Sequence, residues 1–349
     1  MSIHLLSELK KNRKIDVNTE LLEAPWEGIW KYAVVFLFKL LFNLPEKVKA
    51  FKPDVILFSS MVTASLAYPL RNKINIPMVT INHGHDVVMP NKLYQGYVPK
   101  ILDALDGVIS VSRATQKECI KRGMDVNKGV VIGNGYDTHF AEDLDRITDA
   151  KAYMEKKLGC SLAGKRILLT VGRKVKRKGH EWFLSNVMSA LPDNFIYLSI
   201  GDGPEQKELL KLQNRLSCKE RIFNVGRQSD EYLKHAYIAS DLFIMPNIKV
   251  KGDMEGFGIV ILEANLARTP VIASNLEGIK DVIKNGINGY LLEPENAESY
   301  IDKIVNLGEN EEKLNRLQTS AYQYIKGTYN WNRISSQYVK YIEQKFLQN

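Results

Sequence analysis

Nine short apolar runs recur along the chain, and segments with helical spacing separate them. Each run is continuously apolar rather than alternating, which is typical of parallel strands buried on both faces of a sheet. The alternation of such strands with helices predicts an α/β fold made of doubly wound parallel sheets. The predicted strands lie in segments 55–58, 78–82, 107–112, 129–135, 166–172, 195–203, 221–226, 242–246 and 269–274.

The length of the chain divides these strands between two domains. The chain has 349 residues, whereas a single domain commonly has roughly 100–200. A polar stretch at 141–163 separates the first four strands from the rest, as a domain boundary does. We predict an N-terminal domain over residues 1–145, a C-terminal domain over 146–325 and a helix over 326–349 that packs back on the N-terminal domain. Because ligands of such sheets bind at the carboxyl ends of the strands, two facing sheets predict a cleft for two substrates.

Composition excludes several classes of protein. With 45% hydrophobic and 25% charged residues, the chain is not of a disordered, collagen-like or disulfide-rich type. Cys119, Cys160 and Cys218 are far apart and form no CxxC pair, which predicts a reducing compartment and no zinc site. The longest uninterrupted apolar run, residues 32–38, is far shorter than the ~20 residues that span a bilayer. We therefore expect a cytoplasmic protein.

The positive charge is concentrated in one region. The net charge is +8, and residues 29–128 contribute +7 of it, with 14 Lys or Arg and 7 Asp or Glu. The same region contains the apolar segment 29–44, which has a narrow polar stripe on a helix. The stripe consists of Glu27, Lys31, Lys39, Asn43 and Lys47. Two interpretations stay open: a helix buried against the sheet with snorkelling lysines, or an interfacial helix at an anionic membrane surface.

The loop GRKVKRKG at 172–179 is rich in cations and follows a predicted strand. A strand-to-helix turn of this kind suits a diphosphate. Arg173 can grip a phosphate with two hydrogen bonds, and Lys178 can add a point charge. A solvated basic loop or a nucleic-acid patch is the alternative for this segment taken alone.

Two glutamates, Glu255 and Glu263, flank a glycine-rich turn at 256–258 and a helix predicted to begin near Ile259. The turn and the helix N-terminus bring backbone N–H groups toward a ligand. The two carboxylates can accept hydrogen bonds from the hydroxyls of a sugar or a ribose. Either glutamate taken alone would be interpreted as a solvated acid or as a residue that complements the helix dipole.

Several polar residues follow other strand ends. His83, His85 and Asp86 come directly after the second predicted strand, which makes them candidates for the mouth of a cleft. A metal site is not expected, because the two histidines have no visible third ligand. Asn134 and Gly201 lie in the turns GNGYD and GDGPE after two further strands.

In this order, the motifs resemble those of the retaining family 4 glycosyltransferases, which have the GT-B fold of two facing, doubly wound Rossmann-like domains. The segments that carry the resemblance are HGHD at 83–86, GNGYD at 133–137, VGRKVKRKG at 171–179, IGDGPE at 200–205, MEGFGIVILEA at 254–264 and the tail at 330–344. HGHD and residues 245–264 look most like the branch that contains the phosphatidylinositol mannosyltransferases.

The resemblance implies a nucleotide-sugar donor that binds mainly to the C-terminal domain. Arg173 and Lys178 would hold its diphosphate, Glu263 the ribose hydroxyls, and Glu255 with the following backbone the transferred sugar. The full implied donor set is Arg173, Lys178, Gly201, Glu255, Gly256, Phe257, Gly258, Ile259 and Glu263. GDP-mannose is the favoured donor through the branch, with a UDP-sugar as the alternative.

The resemblance also implies a catalytic set of His83, Arg173, Lys178 and Glu255. No metal or other cofactor is expected, because the two cations would stabilise the leaving diphosphate. No carboxylate is an obvious nucleophile of the glycosidase kind, so a front-face substitution that retains the anomeric configuration is implied. His85, Asp86 and Asn134 would lie on the acceptor side of the cleft.

The basic N-terminal domain suits a lipid-linked or glycan acceptor, and it implies a peripheral position on the inner face of the cell membrane. Alternatives are an inactive or truncated homologue, a nucleotide-sugar epimerase of the same fold and a nucleic-acid-binding protein; no recognisable module supports the last.

The N-terminus departs from the family pattern, in which a strand and a glycine-rich loop come first. Residues 2–11 instead predict a helix, and DVNTELL at 16–22 predicts the second strand of the domain. We therefore expect the N-terminal domain to lack its first strand.

Overall fold

The computed structural model describes residues 2–25 and 28–347. The chain divides into two compact units. Unit 1 consists of Met1–Gly135 together with Trp331–Asn349, and unit 2 consists of Tyr136–Asn330. Each unit is built around its own parallel sheet, as the sequence predicts.

Unit 1 contains a four-stranded parallel sheet in the order β1-β2-β3-β4. Each strand therefore lies beside the strand that precedes it in the sequence. Its strands are β1 (Ile56–Phe58), β2 (Met78–Asn82), β3 (Gly107–Ser110) and β4 (Gly129–Val131). Every residue of β2 and β3 is buried, which explains why these strands read as continuous apolar runs.

In the described part of residues 1–135, six helices accompany this sheet. They are α1 (Ser2–Lys11), α2 (Ile29–Phe51), α3 (Ala67–Leu70), α4 (His85–Val88), α5 (Lys92–Ala104) and α6 (Arg113–Ile120), with 3-10 turns at Thr63–Leu66 and Val126–Lys128. Side-chain caps fix two of their starts: Asn91 accepts a hydrogen bond from the backbone N–H of Tyr94, and Ser112 forms a capping box with Thr115.

The strand predicted at 16–22 is wrong, because these residues have no regular secondary structure. A strand requires a neighbour that accepts its backbone hydrogen bonds. In the described part of unit 1, β1 pairs only with β2, and no strand pairs with residues 16–22. The helix predicted at 2–11 is confirmed as α1.

Unit 2 contains a six-stranded parallel sheet in the order β10-β9-β8-β5-β6-β7. Its strands are β5 (Arg166–Val171), β6 (Phe195–Ile200), β7 (Ile222–Val225), β8 (Leu242–Met245), β9 (Val271–Ser274) and β10 (Gly289–Leu292). The strand order reverses between β5 and β8, and the carboxyl ends at such a reversal flank a ligand crevice. The loops that begin at residues 172 and 246 therefore lie at the point where a ligand is expected.

The helices of unit 2 alternate with its strands along the chain, as in a doubly wound fold. They are α7 (Thr138–Leu144), α8 (Ala150–Leu158), α9 (His180–Asn186), α10 (Gln206–Arg215), α11 (Asp230–Ala239), α12 (Ile259–Leu266), α13 (Ile279–Val282), α14 (Ala297–Glu309) and α15 (Glu311–Thr328), with 3-10 turns at Lys176–Lys178, Met188–Ala190 and Lys219–Arg221. The final helix, α16 (Trp331–Ile342), continues into a π-helical turn at Glu343–Leu347, and both belong to unit 1.

Helix α7 explains why unit 2 begins at Tyr136 rather than at residue 146. Phe140 packs edge-on against Tyr237, with ring centroids 5.8 Å apart, and Asp143 accepts a hydrogen bond from Lys234. Both partners lie on α11, so α7 is part of the second core although polar residues surround it in the sequence.

Helix α16 packs within unit 1 at both of its ends. The Trp331 indole packs directly against Gly135: a Cβ atom added to this glycine would lie only 2.6 Å from the ring. His4 of α1 stacks over the same ring. The Tyr341 hydroxyl donates a hydrogen bond of 3.1 Å to the Lys128 carbonyl oxygen. Across the described residues, every helix falls short of the length or the apolarity that crossing a membrane requires.

Candidate active site

Glycines let the loops at the switch point of unit 2 approach each other closely. Gly172 and Gly201 follow β5 and β6, and a Cβ on Gly201 would lie 2.2 Å from the Gly172 carbonyl oxygen. Gly179 has φ +68°, and a Cβ there would lie 1.9 Å from the Pro246 carbonyl oxygen. Only glycine fits these positions, so the loops after β5, β6 and β8 form one compact edge.

A cluster of charged side chains lies at this edge. The Lys178 ammonium is 2.6 Å from Glu255 Oε2, and Arg177 contacts the same oxygen at 2.5 Å. Arg177 also contacts Asp253 Oδ1 at 3.1 Å. The Asn247 side-chain amide donates to Glu255 at 3.4 Å, while its own oxygen is buried and has no partner among the described residues. The structure thus brings together two of the predicted site residues, Lys178 and Glu255, and adds Arg177.

The cluster fixes the ionisation of Glu255. Burial alone would raise the pKa of this carboxyl, but the charges and hydrogen bonds of Lys178 and Arg177 outweigh burial and lower the pKa to about 2. Glu255 is therefore a carboxylate at neutral pH, and it holds the buried Lys178 and the partly buried Arg177 in place. A Cβ on Gly172 would lie 3.6 Å from Lys178 Nζ, so the glycine leaves space beside the ammonium.

The glycine-rich turn after Glu255 is held by its own hydrogen bonds. The backbone N–H of Glu255 donates to the Glu277 carboxylate, and Gly278 N–H donates to the Glu255 carbonyl at 3.1 Å. Gly258 has φ +87° and caps α12, which begins at Ile259 as predicted. The Phe257 side chain is buried, so any contact of this residue with a ligand is confined to its backbone.

Glu263 lies one turn into α12 and has a different partner. Its Oε2 accepts a hydrogen bond of 2.7 Å from the Tyr237 hydroxyl. Burial raises the pKa of Glu263, and the hydrogen bond from Tyr237 opposes the rise. No contact joins Glu263 to the Lys178 cluster among the described residues, so the two predicted glutamates have separate environments.

Arg173 is not part of the cluster. Its side chain is exposed and has no ion-pair partner in the part of the chain that the structure describes. Arg177, rather than Arg173, forms the ion pairs of the cluster. The sequence analysis did not predict this, because the three adjacent cations of KRK are equivalent in a linear sequence. The 3-10 turn at Lys176–Lys178 gives these side chains different surroundings. Lys176 is exposed, whereas Lys178 is only 7% exposed.

Lys174 is a second missed residue. It is fully buried, and its ammonium donates to the Asn224 side chain and, at 3.3 Å, to the Val225 carbonyl oxygen. Burial lowers the pKa of Lys174 to about 8, against an opposing effect of Asp202. Lys174 therefore links the loop after β5 to the end of β7.

We expect Lys174 to make stability depend on pH. Between about pH 8 and 10.5 the folded chain holds Lys174 neutral while the unfolded chain keeps it protonated, so stability rises with pH in this window. Across this window, Lys174 can add at most about 3 kcal/mol to the free energy of unfolding. Urea unfolding of wild type and Lys174→Met at both ends of the window measures it, since only wild type should show this gain. An equal pH dependence in the two proteins would contradict the buried-cation interpretation.

The predicted residues of unit 1 lie around the loop after β2. His83 Nε2 is 2.9 Å from the Ser59 carbonyl oxygen. The two oxygens of Asp86 accept hydrogen bonds from the backbone N–H groups of His83, at 3.1 Å, and Met61, at 2.9 Å. Asp86 therefore holds the His83 loop in shape, and His85 is exposed at the start of α4.

Asn134 lies elsewhere in unit 1, after β4. It is only 3% exposed, and its side-chain oxygen has no hydrogen-bond partner among the described residues. Within the same residues, no three His, Cys, Asp or Glu side chains are close enough together to hold a metal ion.

Two family models match the chain. The model for Glycosyl transferases group 1 matches residues 161–324, and the model for Glycosyltransferase Family 4 matches residues 14–140. The first match lies in unit 2 and the second nearly fills the N-terminal part of unit 1. Each match thus covers less than half of the chain, and the fold, with a parallel sheet in each unit, is of the GT-B type.

Individual relatives support the same class. Sulfoquinovosyl transferase SQD2 of Arabidopsis thaliana is 29% identical over 310 residues, which are 81% of this chain but only 56% of that relative. The GDP-mannose-dependent alpha-(1-6)-phosphatidylinositol monomannoside mannosyltransferase of Mycobacterium tuberculosis is 24% identical over 274 residues, 74% of this chain and 68% of the relative. Anabaena HepE, solved with UDP, superposes with a TM-score of 0.73 at 21% identity, over 89% of this chain and 82% of HepE.

Proposed function

We propose that the protein is a retaining, metal-independent glycosyltransferase that moves a hexose from a nucleotide-sugar to a lipid-linked or glycan acceptor at the inner face of the cell membrane. GDP-mannose is the favoured donor, and a UDP-sugar is the alternative. The observation that carries the proposal is the Lys178–Glu255–Arg177 cluster at the switch point of unit 2, beside a glycine-rich turn and the start of α12.

The chemistry of the cluster supports a diphosphate leaving group. Cleavage of the bond between the anomeric carbon and the phosphate oxygen places negative charge on the diphosphate. A fixed ammonium such as Lys178 stabilises that charge more in the transition state than in the ground state. Glu255 holds the ammonium in position before the donor binds, so no reorganisation of this side chain is needed during the reaction.

The proposed reaction proceeds on one face of the sugar. The acceptor hydroxyl oxygen forms a bond to the anomeric carbon while the bond to the diphosphate breaks. The hydroxyl proton passes to the leaving phosphate oxygen, so the protein supplies no nucleophile and the configuration is retained. In this scheme Glu263 binds the ribose hydroxyls and Arg173 provides a second, mobile cation for the diphosphate.

The identity of the substrates rests on the relatives. The Mycobacterium tuberculosis relative is named as GDP-mannose-dependent and acts on a phosphatidylinositol monomannoside. HepE has been solved with UDP-glucose. The excess of basic residues over residues 29–128 favours an acceptor at an anionic surface.

A panel of GDP-mannose, UDP-glucose, GDP and UDP tests the proposal. The correct nucleotide binds only the folded chain and should raise Tm, by an amount that grows with the logarithm of its concentration once that concentration exceeds its Kd. The matching nucleotide-sugar should then release its nucleotide when phosphatidylinositol vesicles are added, and the product should keep the anomeric configuration by NMR.

Two results would contradict the proposal. One is the absence of any thermal shift with the four compounds. The other is a donor sugar that is recovered with inverted stereochemistry and no transfer, which would indicate an epimerase.

A further inference from the structure

The outer face of α2 carries apolar side chains that no described part of the chain covers. We call Tyr32, Val34, Val35, Phe38 and Phe42 the α2 strip; these side chains are 49%, 65%, 54%, 64% and 59% exposed, respectively. Phe38 and Phe42 lie one turn apart and contact each other edge-on, with ring centroids separated by 4.9 Å. A contiguous apolar patch of this kind on a folded protein usually marks an interaction surface.

The opposite face of α2 accounts for the position of the helix. Its inner side chains pack against the core of unit 1; they are Leu37, Leu40, Leu41, Leu44 and Val48. The helix is therefore anchored without help from the α2 strip. Of the polar stripe predicted for this helix, Glu27 lies outside the described residues.

Lysines surround the α2 strip. Lys31, Lys39 and Lys49 are exposed, and none of them has an ion-pair partner among the described residues. At ~1.5 Å per residue, Lys31 borders the strip at its N-terminal end, Lys39 lies within its length, and Lys49 lies about 10 Å beyond Phe42. Lys47 is paired with Glu20, and the helix has four lysines against the single acid Glu46.

We propose that the α2 strip and its three lysines dock the protein on an anionic membrane surface, with α2 parallel to that surface. The apolar side chains would enter the boundary between headgroups and acyl chains while the ammonium groups contact lipid phosphates. Hydrophobic and electrostatic attraction then act together, and each alone gives weak, reversible binding.

The charges favour a membrane over a second copy of the chain. A two-fold dimer through the α2 strip would place the same surface on both sides of the interface. Lys31, Lys39 and Lys49 would then approach lysines of the same kind with few acids between them, which is unfavourable. Phosphate headgroups instead supply the complementary charge.

The inference deepens the proposed function, on which it rests for the lipid-linked acceptor, but its test is independent of activity. Flotation with phosphatidylcholine vesicles, with and without phosphatidylglycerol, measures binding directly. Wild type should bind the anionic vesicles at least about tenfold better than the neutral ones, and added salt should weaken binding.

A pair of matched variants locates the surface. Phe38→Ser/Phe42→Ser should reduce binding to anionic vesicles at least about tenfold, because two large apolar side chains no longer enter the bilayer. Leu93→Ser/Val126→Ser removes two apolar side chains that are 88% and 61% exposed elsewhere on unit 1, and it should bind like wild type. Both variants should keep the Tm of wild type, since the replaced side chains are exposed.

Equal loss of vesicle binding in the two variants would overturn the proposal. So would wild-type protein that does not bind anionic vesicles. A dimer that dissociates in Phe38→Ser/Phe42→Ser, without vesicle binding by wild type, would assign the strip to self-association instead. The thermal shift with nucleotides is measured on the same samples. Failure of docking with an intact shift contradicts this inference and the membrane location of the proposed reaction but leaves the proposed donor binding in place, whereas a missing shift contradicts the proposed enzyme.

Discussion

Replacing Lys178 by methionine should lower kcat/KM for sugar transfer by at least about 10²–10³-fold, because the leaving diphosphate loses a fixed positive charge. The fold should survive, since Glu255 keeps its ion pair with Arg177 at 2.5 Å and no carboxylate is left buried without a partner. Transfer rates over a range of donor concentrations give kcat/KM, and Tm reports on the fold, so the two effects are measured separately.

Lys176→Met is the matched control for Lys178→Met. The two lysines lie in the same 3-10 turn, but Lys176 is exposed and forms no ion pair among the described residues. We expect this control to change transfer less than about threefold, in line with the small effect of an exposed charge. Near-normal turnover of Lys178→Met would remove Lys178 from the catalytic set.

Replacing Glu263 by glutamine should weaken donor binding by roughly 10–100-fold, because a charge-assisted hydrogen bond to a ribose hydroxyl becomes a neutral one. The glutamine oxygen can still accept the hydrogen bond from Tyr237, so the packing of α12 on α11 should remain. Titration calorimetry with GDP and UDP measures the change in Kd.

Glu298→Gln provides the control for this change of charge. Glu298 lies in the first turn of α14, is exposed, and is remote from the switch point in the strand order. It should leave the affinity for both nucleotides unchanged. An affinity of Glu263→Gln equal to that of wild type would show that this carboxylate does not bind the ribose.

The sheets of both units could be predicted because strands that are buried on both faces appear in the sequence as continuous apolar runs. All nine apolar runs became strands, from β1 at Ile56–Phe58 to β9 at Val271–Ser274. Our sequence analysis did not predict β10, whose short run Gly289–Leu292 follows a turn and pairs, among the described strands, with β9 alone. The strand expected at 16–22 failed for the opposite reason: its local pattern was suitable, but no strand of the described residues pairs with it.

The site was predictable where its residues belong to one local motif, and not where contacts join distant loops. Gly258 and the start of α12 follow from a glycine before an apolar helix. The ion pairs of Arg177 with Asp253 and Glu255 connect positions more than seventy residues apart, and no spacing in the sequence marks them. Lys174 was missed because a lysine in a basic loop is ordinarily exposed, whereas here it is fully buried.

The four charges of the cluster also constrain how this chain can change over generations. Lys178, Arg177, Glu255 and Asp253 form two cations against two carboxylates, all at least partly buried. A random mutation that removes Asp253 or Arg177 alone unbalances this set, whereas loss of both restores the balance. Positions 177 and 253 should therefore change as a pair among descendants of this chain, while Lys178 and Glu255 should stay fixed if they hold the donor as we propose.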